Sequence, residues 1–395
     1  MASSRKKWPF LLLLAAVGAL CGITAARYFA EAAGSGMPLG GYLLRVAGMA
    51  LAVYAGFFIH TVLHEGGHLI FGLLTGYGFV SFRVGSFVIM SGGGKLRTAR
   101  YTVAGTAGQC LLSPPKRNPD GGYPYIAYNL GGISVNVILA VISLVPAVIL
   151  GGRTFAGAVM TVFAVIGSGT ALTNGLPFLG VDNDGRNTLA LIRSAAAREA
   201  FYVQLETVAG MARGGRLRDI PEEKLEGEYD LLNGITAVIP VLRAERMLDL
   251  GGTRGALEAL EALFTDGRLA DSMRGPVVCD LIFCRLIEGR DDPAQPDKSG
   301  KSYMNAMRTS PQVLRTEYAL ALLRDKDKNK AAETGKKLEA ALRSHPYPGE
   351  IASERELVRL ADAAAAKAEA AEAETAKAES TGPAREEASG RADEP

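Results

Sequence analysis

Charge is divided unevenly along this chain, and that division limits its possible folds more than any other feature. Four stretches run almost without charge, at about residues 9–26, 39–74, 126–150 and 155–181. Each is near or above the roughly 20 largely apolar residues that a helix needs to cross a bilayer. Most Lys, Arg, Asp and Glu lie beyond about residue 182. An α-helical membrane unit of four transmembrane helices joined to a soluble unit accounts for the split. A length of 395 residues accommodates both, and 43 basic against 41 acidic side chains leave a net charge of +2. That balance argues against a nucleic-acid partner and against an acidic disordered chain. Cys21, Cys110, Cys279 and Cys284 do not form a disulfide framework, and buried free thiols are expected.

Lys and Arg in short loops set the expected orientation. Arg5, Lys6 and Lys7 precede the first span, and Arg83, Lys95, Arg97, Arg100, Lys116 and Arg117 fall between the second and third. The other short loops hold little more than Arg27 and Arg153. Both basic sets therefore lie on one side, taken as cytoplasmic, with both termini there in a multi-pass cell-membrane protein. The first span reads alternatively as a cleaved signal, with Thr24-Ala25-Ala26 as small residues at the cut, but further spans follow it and Arg27-Tyr28 suits an interfacial anchor. Residues 79–103 are rich in aromatic and β-branched types, with Gly92-Gly93-Gly94 as a turn, and predict a β-hairpin or small sheet near the cytoplasmic face. Its edge either pairs with an extended peptide or merely belongs to a compact surface loop.

The chemistry is concentrated in the second span, at His60-Thr-Val-Leu-His64-Glu65-Gly66-Gly67-His68. Two histidines four apart stand one above the other on a helix, so both imidazoles reach one metal ion. Glu65 sits where its carboxylate can take a proton from water, as in HExxH zinc hydrolases. The chain has only 4 histidines, and three of them share this stripe. A carboxylate in an apolar span costs roughly 2.5 kcal/mol or more unless it is partnered. His60 is either an outer partner or polar packing. Gly66 and Gly67 allow either close backbone approach to the metal or close helix packing. Two histidines leave a catalytic zinc one protein ligand short. The end of the fourth span offers Asp182 and Asp184 after Asn174-Gly-Leu-Pro177, where Pro177 breaks the helix.

With these residues in place the chain resembles the site-2 protease family of intramembrane zinc metalloproteases. His64–His68 matches the family's HExxH. Asn174-Gly-Leu-Pro177 followed by Asp184-Gly185 looks like its Asn-x-x-Pro and Asp-Gly element, and Gly132-Ile-Ser-Val-Asn136 resembles its Gly-Pro-x-x-Asn segment without the proline. The resemblance covers about residues 40–187. It implies a Zn2+ cofactor held by His64, His68 and an aspartate, with Glu65 as catalytic base and Asn136 and Asn174 as candidate substrate-binding residues. The family's spacing selects Asp182, whereas the Asp-Gly dipeptide selects Asp184; Asp184 is preferred because the following glycine eases a tight turn. The implied substrate is a membrane-embedded protein or a signal or pheromone peptide, in a bacterial setting. No PDZ or CBS domain is recognisable.

Residues 1–187 thus form the expected protease domain. From 188 to 360 a period of 3.6 predicts an all-α, helical-repeat domain similar to tetratricopeptide folds, which would bind a cytosolic protein partner or brace the membrane unit. Residues 361–395 read as a frayed helix and a disordered tail. A membrane scaffold with a structural or vestigial metal site is the alternative to an enzyme. A metal transporter fits less well, because the histidines cluster rather than line a path.

Overall fold

The computed structural model describes residues 8–92, 95–103, 106–178, 181–290 and 298–380. Arg5, Lys6, Lys7, Gly93, Gly94 and the tail beyond residue 380 lie outside the described residues. The chain is mostly helical, at 73%. Among the described residues, four helices are long and apolar enough to cross a membrane: α1 (Trp8–Gly34), α2 (Leu39–Leu74), α3 (Ile126–Leu150) and α4 (Phe155–Gly175). The second and third match the predicted spans. The first runs past Arg27, and the fourth stops at Gly175 rather than at residue 181, two residues before Pro177.

Small residues set how these helices meet. α4 packs against the other three, and Ala158, Val162 and Ile166 along it are fully buried. A methyl group on Gly56 of α2 would stand 2.9 Å from Ile166 Cδ1, and one on Gly67 would stand 2.4 Å from the Gly131 carbonyl oxygen of α3. Backbones this close are how apolar helices associate where lipid removes the usual hydrophobic drive. The outer faces carry exposed Leu, Ile and Val, such as Leu44, Val148 and Ile149.

Between α2 and α3 the chain forms a four-stranded antiparallel sheet of β1 (Gly78–Val84), β2 (Phe87–Gly92), β3 (Lys95–Arg100) and β4 (Gly108–Ser113), in the order β3-β2-β1-β4. Gly85, at φ +58°, supplies the positive dihedral of the tight β1–β2 turn. The predicted hairpin is present, but β4 lies beyond its expected end. Gly-Gln-Cys-Leu-Leu-Ser carries no β-branched or aromatic residue, so nothing local marks it as a strand. It is held by pairing with β1 and by alternate burial of Gly108, Cys110 and Leu112.

The remaining helices are α5 (Asp184–Arg193), α6 (Ala195–Ala212), α7 (Gly234–Asp249), α8 (Thr253–Thr265), α9 (Asp271–Ile287), α10 (Lys298–Ala306), α11 (Pro311–Ala319), α12 (Lys328–Ser344) and α13 (Pro348–Ser380). Leu257, Leu260, Leu281 and Phe283 build a core among α7, α8 and α9. A second core joins the halves: Cys110 and Leu112 of β4 and Tyr128 of α3 pack with Phe201 of α6 and Ile239 of α7. Farther out, the Ser81 and Tyr347 hydroxyls lie 3.2 Å apart, and Arg117 forms a two-pronged ion pair with Glu199 at 2.7 Å per contact. α5 runs straight through the expected boundary at residue 187, so the acid-bearing turn is the first turn of the helical half. All four cysteines are free and buried, as expected.

Candidate metal centre

His60, His64 and His68 recur every four residues on α2 and face α3, all three buried. Room for the last two comes from Gly132 of α3: a methyl group there would stand 2.6 Å from His68 Nε2 and 2.7 Å from His64 Nε2. The third group arrives from α5. Asp184 Oδ2 lies 3.0 Å from His64 Nε2 and 3.3 Å from His68 Nε2, and the two nitrogens are 3.2 Å apart. The three atoms form a nearly equilateral triangle, and among the described residues this is the group of His, Cys, Asp and Glu side chains that converges in this way.

The triangle suits a divalent ion. Two ligands of a tetrahedral zinc at about 2.0–2.1 Å stand about 3.3–3.4 Å from each other. Asp184 Oδ2 is buried yet makes no hydrogen bond, an expensive state for a carboxylate oxygen that has no other partner. His68 Nδ1 is 2.7 Å from the Tyr128 carbonyl oxygen and so donates to it, which leaves Nε2 with a bare lone pair towards the triangle.

The chain places Asp184 through several local contacts. Asn183 caps α5 by accepting from Arg186 N at 2.9 Å, and its Nδ2 donates to the Thr173 and Leu176 carbonyls at the end of α4. Gly185 has no positive φ, so its expected role in easing a turn does not hold. Its role is close approach: a methyl group there would stand 1.9 Å from the Gly175 carbonyl oxygen. Asp182, the alternative ligand, lies away from the triangle, with Oδ1 3.4 Å from Arg186 Nη1.

A cavity of about 660 Å³ opens beside the triangle. Glu65 lies on its wall against β4, where a methyl group on Gly108 would stand 2.6 Å from Glu65 Cγ. The buried Arg83 guanidinium donates to the Gly85 carbonyl at 2.7 Å and to the Gly108 carbonyl at 3.3 Å, fixing the start of β4 beside that carboxylate. Asn174 also lines the cavity, with Nδ2 donating to the Thr170 carbonyl at 2.9 Å. The opposite wall comes from the helical half, through Phe201, Leu205, Ile235 and Met273. Asn136 differs from its expected place: it is fully buried between His60 and His64 and does not line the cavity. Gly67 serves helix packing, whereas a side chain on Gly66 would meet open space.

Sequence reasoning did not reach Tyr128, Asn183, Gly108 or the helical-half wall. Of these, only Asn183 carried a local signal, as a capping residue directly ahead of Asp-Gly. Comparison of the chain with family models, curated proteins and solved structures gives no match. The chemical reading therefore rests on the site itself.

Proposed function

We propose that this chain is an intramembrane zinc endopeptidase of the site-2 protease kind, cleaving a peptide bond in or beside the membrane segment of a protein or of a signal or pheromone peptide. The observation that carries this reading is the convergence of His64, His68 and Asp184 on one point, with Glu65 on the wall of the cavity beside it. A structural zinc is normally closed by four protein ligands, whereas three protein groups beside an open cavity leave the fourth position for water or substrate.

When bound there, zinc supplies a Lewis acid that acidifies water and polarises a carbonyl group. Glu65 takes the proton of the attacking water on a carboxylate oxygen and returns it to the amine that leaves. β4, paired on one side by β1, offers its other side to an extended substrate strand next to Glu65. Asn174 has an unused carbonyl oxygen and a second amide hydrogen for the substrate backbone. In this reading the four apolar helices sit in the cell membrane with both chain ends in the cytoplasm. The helical half supplies one wall of the substrate cavity from that side, in addition to any protein partner it docks.

The test is a matched pair, wild type and Glu65→Gln, purified with zinc and offered single-span test peptides. The variant should keep a stoichiometric zinc and lose roughly 10²–10⁴-fold in cleavage rate. Cleavage by the variant at the wild-type rate would remove Glu65 from the chemistry. Membrane peptides that accumulate only in cells carrying Glu65→Gln identify the natural substrate.

A further inference from the structure

His60 is fully buried one helical turn before the first metal-facing histidine, and the proposed reaction leaves it unused. Its ring lies 4.4 Å from the Phe163 ring of α4, in a space that a side chain at Gly167 would fill: a methyl group there would stand 2.4 Å from His60 Cε1. Three polar contacts surround the ring and its neighbour. His60 Nε2 is 3.1 Å from the Phe163 carbonyl oxygen, and the Asn136 amide is placed with Oδ1 3.2 Å from His60 Nδ1 and Nδ2 2.9 Å from His64 Nδ1.

A carbonyl oxygen only accepts, so His60 Nε2 must carry a hydrogen. A neutral His60 then has a bare Nδ1, which needs a donor. The two ends of an amide have nearly the same shape, so hydrogen-bond chemistry decides which is which. That chemistry turns the amide from its placed orientation: with the NH2 end towards His60, the Asn136 oxygen faces His64 Nδ1 and accepts its hydrogen. His64 Nε2 is thereby left with a lone pair aimed at Asp184 and His68. The reverse arrangement puts a positive charge on a fully buried His60, which is costly, and sets a hydrogen on His64 Nε2 where the ligand lone pair is needed.

We propose that His60 and Asn136 form a positioning relay that fixes the proton of His64 on Nδ1 and so keeps Nε2 ready for the metal. The relay starts at a backbone carbonyl of α4, crosses to α2, passes through α3 and returns to α2, so it also ties the packing of three apolar helices to the state of one ligand. It rests on the metal reading above and extends it to two residues that touch neither metal nor substrate.

The test uses zinc alone as probe, with the full chain in detergent and a competing chelator to report affinity. Asn136→Leu should weaken zinc binding about 10- to 100-fold, the usual cost of losing an outer partner of a metal-bound histidine. Asn136→Asp keeps an acceptor for His64 Nδ1 and should bind zinc more tightly than Asn136→Leu, although the added carboxylate lowers the melting temperature further. His60→Phe should weaken binding when residue 136 is Asn, whose amide is then free to turn, and have no further effect in Asn136→Asp, which has no donor end. If affinity instead follows melting temperature across these variants, the relay is only packing and the proposal fails. Equal zinc affinity in wild type and Asn136→Leu overturns the relay alone. Absence of zinc binding by the wild type overturns the metal reading together with the relay.

Discussion

Gly185 and Gly175 are packed backbone to backbone, so closely that a methyl group on Gly185 would stand 1.9 Å from the Gly175 carbonyl oxygen. The contact presses the first turn of α5 onto the end of α4 and sets how far Asp184 reaches towards the imidazoles. Gly185→Ala should push that turn outward, lowering zinc affinity by at least tenfold and costing about 1–3 kcal/mol of stability from overpacking. Chelator competition and thermal melting, measured side by side, check both effects.

The two acids of this segment should separate cleanly. Asp184→Asn removes the charged ligand and should abolish tight zinc binding. Asp182→Asn breaks a half-exposed pair with Arg186 and should leave zinc affinity unchanged and stability within about 0.5 kcal/mol. Zinc loss in the second variant and not in the first would reverse the ligand assignment.

Gly132 and Gly66 give another contrast. A methyl group at Gly132 would enter the space of both imidazoles, at 2.6 and 2.7 Å from their Nε2 atoms, whereas one at Gly66 meets nothing within 4 Å. Gly132→Ala should therefore displace zinc. Gly66→Ala should keep it and gain up to about 1 kcal/mol from the better helix former. Zinc content per chain after gel filtration distinguishes them.

The helical half has its own pH dependence. Glu354 is buried beside Arg315, with Asp280, Glu350 and His345 also acting on it. Burial raises its carboxyl to about 7, against the pull of Arg315. A carboxyl raised above its unfolded value stabilises the fold fully below the unfolded pKa, and that contribution fades as pH rises through the folded one. Between about pH 5 and pH 8 this group alone should cost about 2–3 kcal/mol. Glu354→Gln, neutral throughout, should show a flatter fall in thermal midpoint across that range. Equal slopes would mean that burial does not move the Glu354 carboxyl into this range.

Much of the four-helix apolar unit was legible because its signals are local. Long, almost uncharged apolar runs give the second and third helices, and the three-histidine stripe gives the face of α2 that carries the candidate ligands. The uncharged run continues to Val181, so composition carries the fourth span past the end of α4 at Gly175, although Pro177 marks a break. Arg27 reads as a bilayer boundary, but a helix has no reason to stop there, and α1 continues to Gly34. β4 carries no strand signal of its own and depends on pairing with β1. The roles of Asn136 and His60 are set by which helix faces which, through Gly167 and Phe163, and period and spacing say nothing about that. The cavity wall formed by Leu205, Ile235 and Met273 depends on long-range packing and leaves no trace in any motif.

The way the sheet and the later helices close around the histidines has a consequence for biosynthesis. A ribosome that has delivered only the hydrophobic hairpins has made the imidazoles but not the chamber around them. Under the proposed reaction, a chain made only as far as α4 lacks Asp184 and the cavity wall of Phe201, Leu205, Ile235 and Met273, so its imidazoles stand without a complete site. Tyr347, which meets Ser81, emerges later still than that wall.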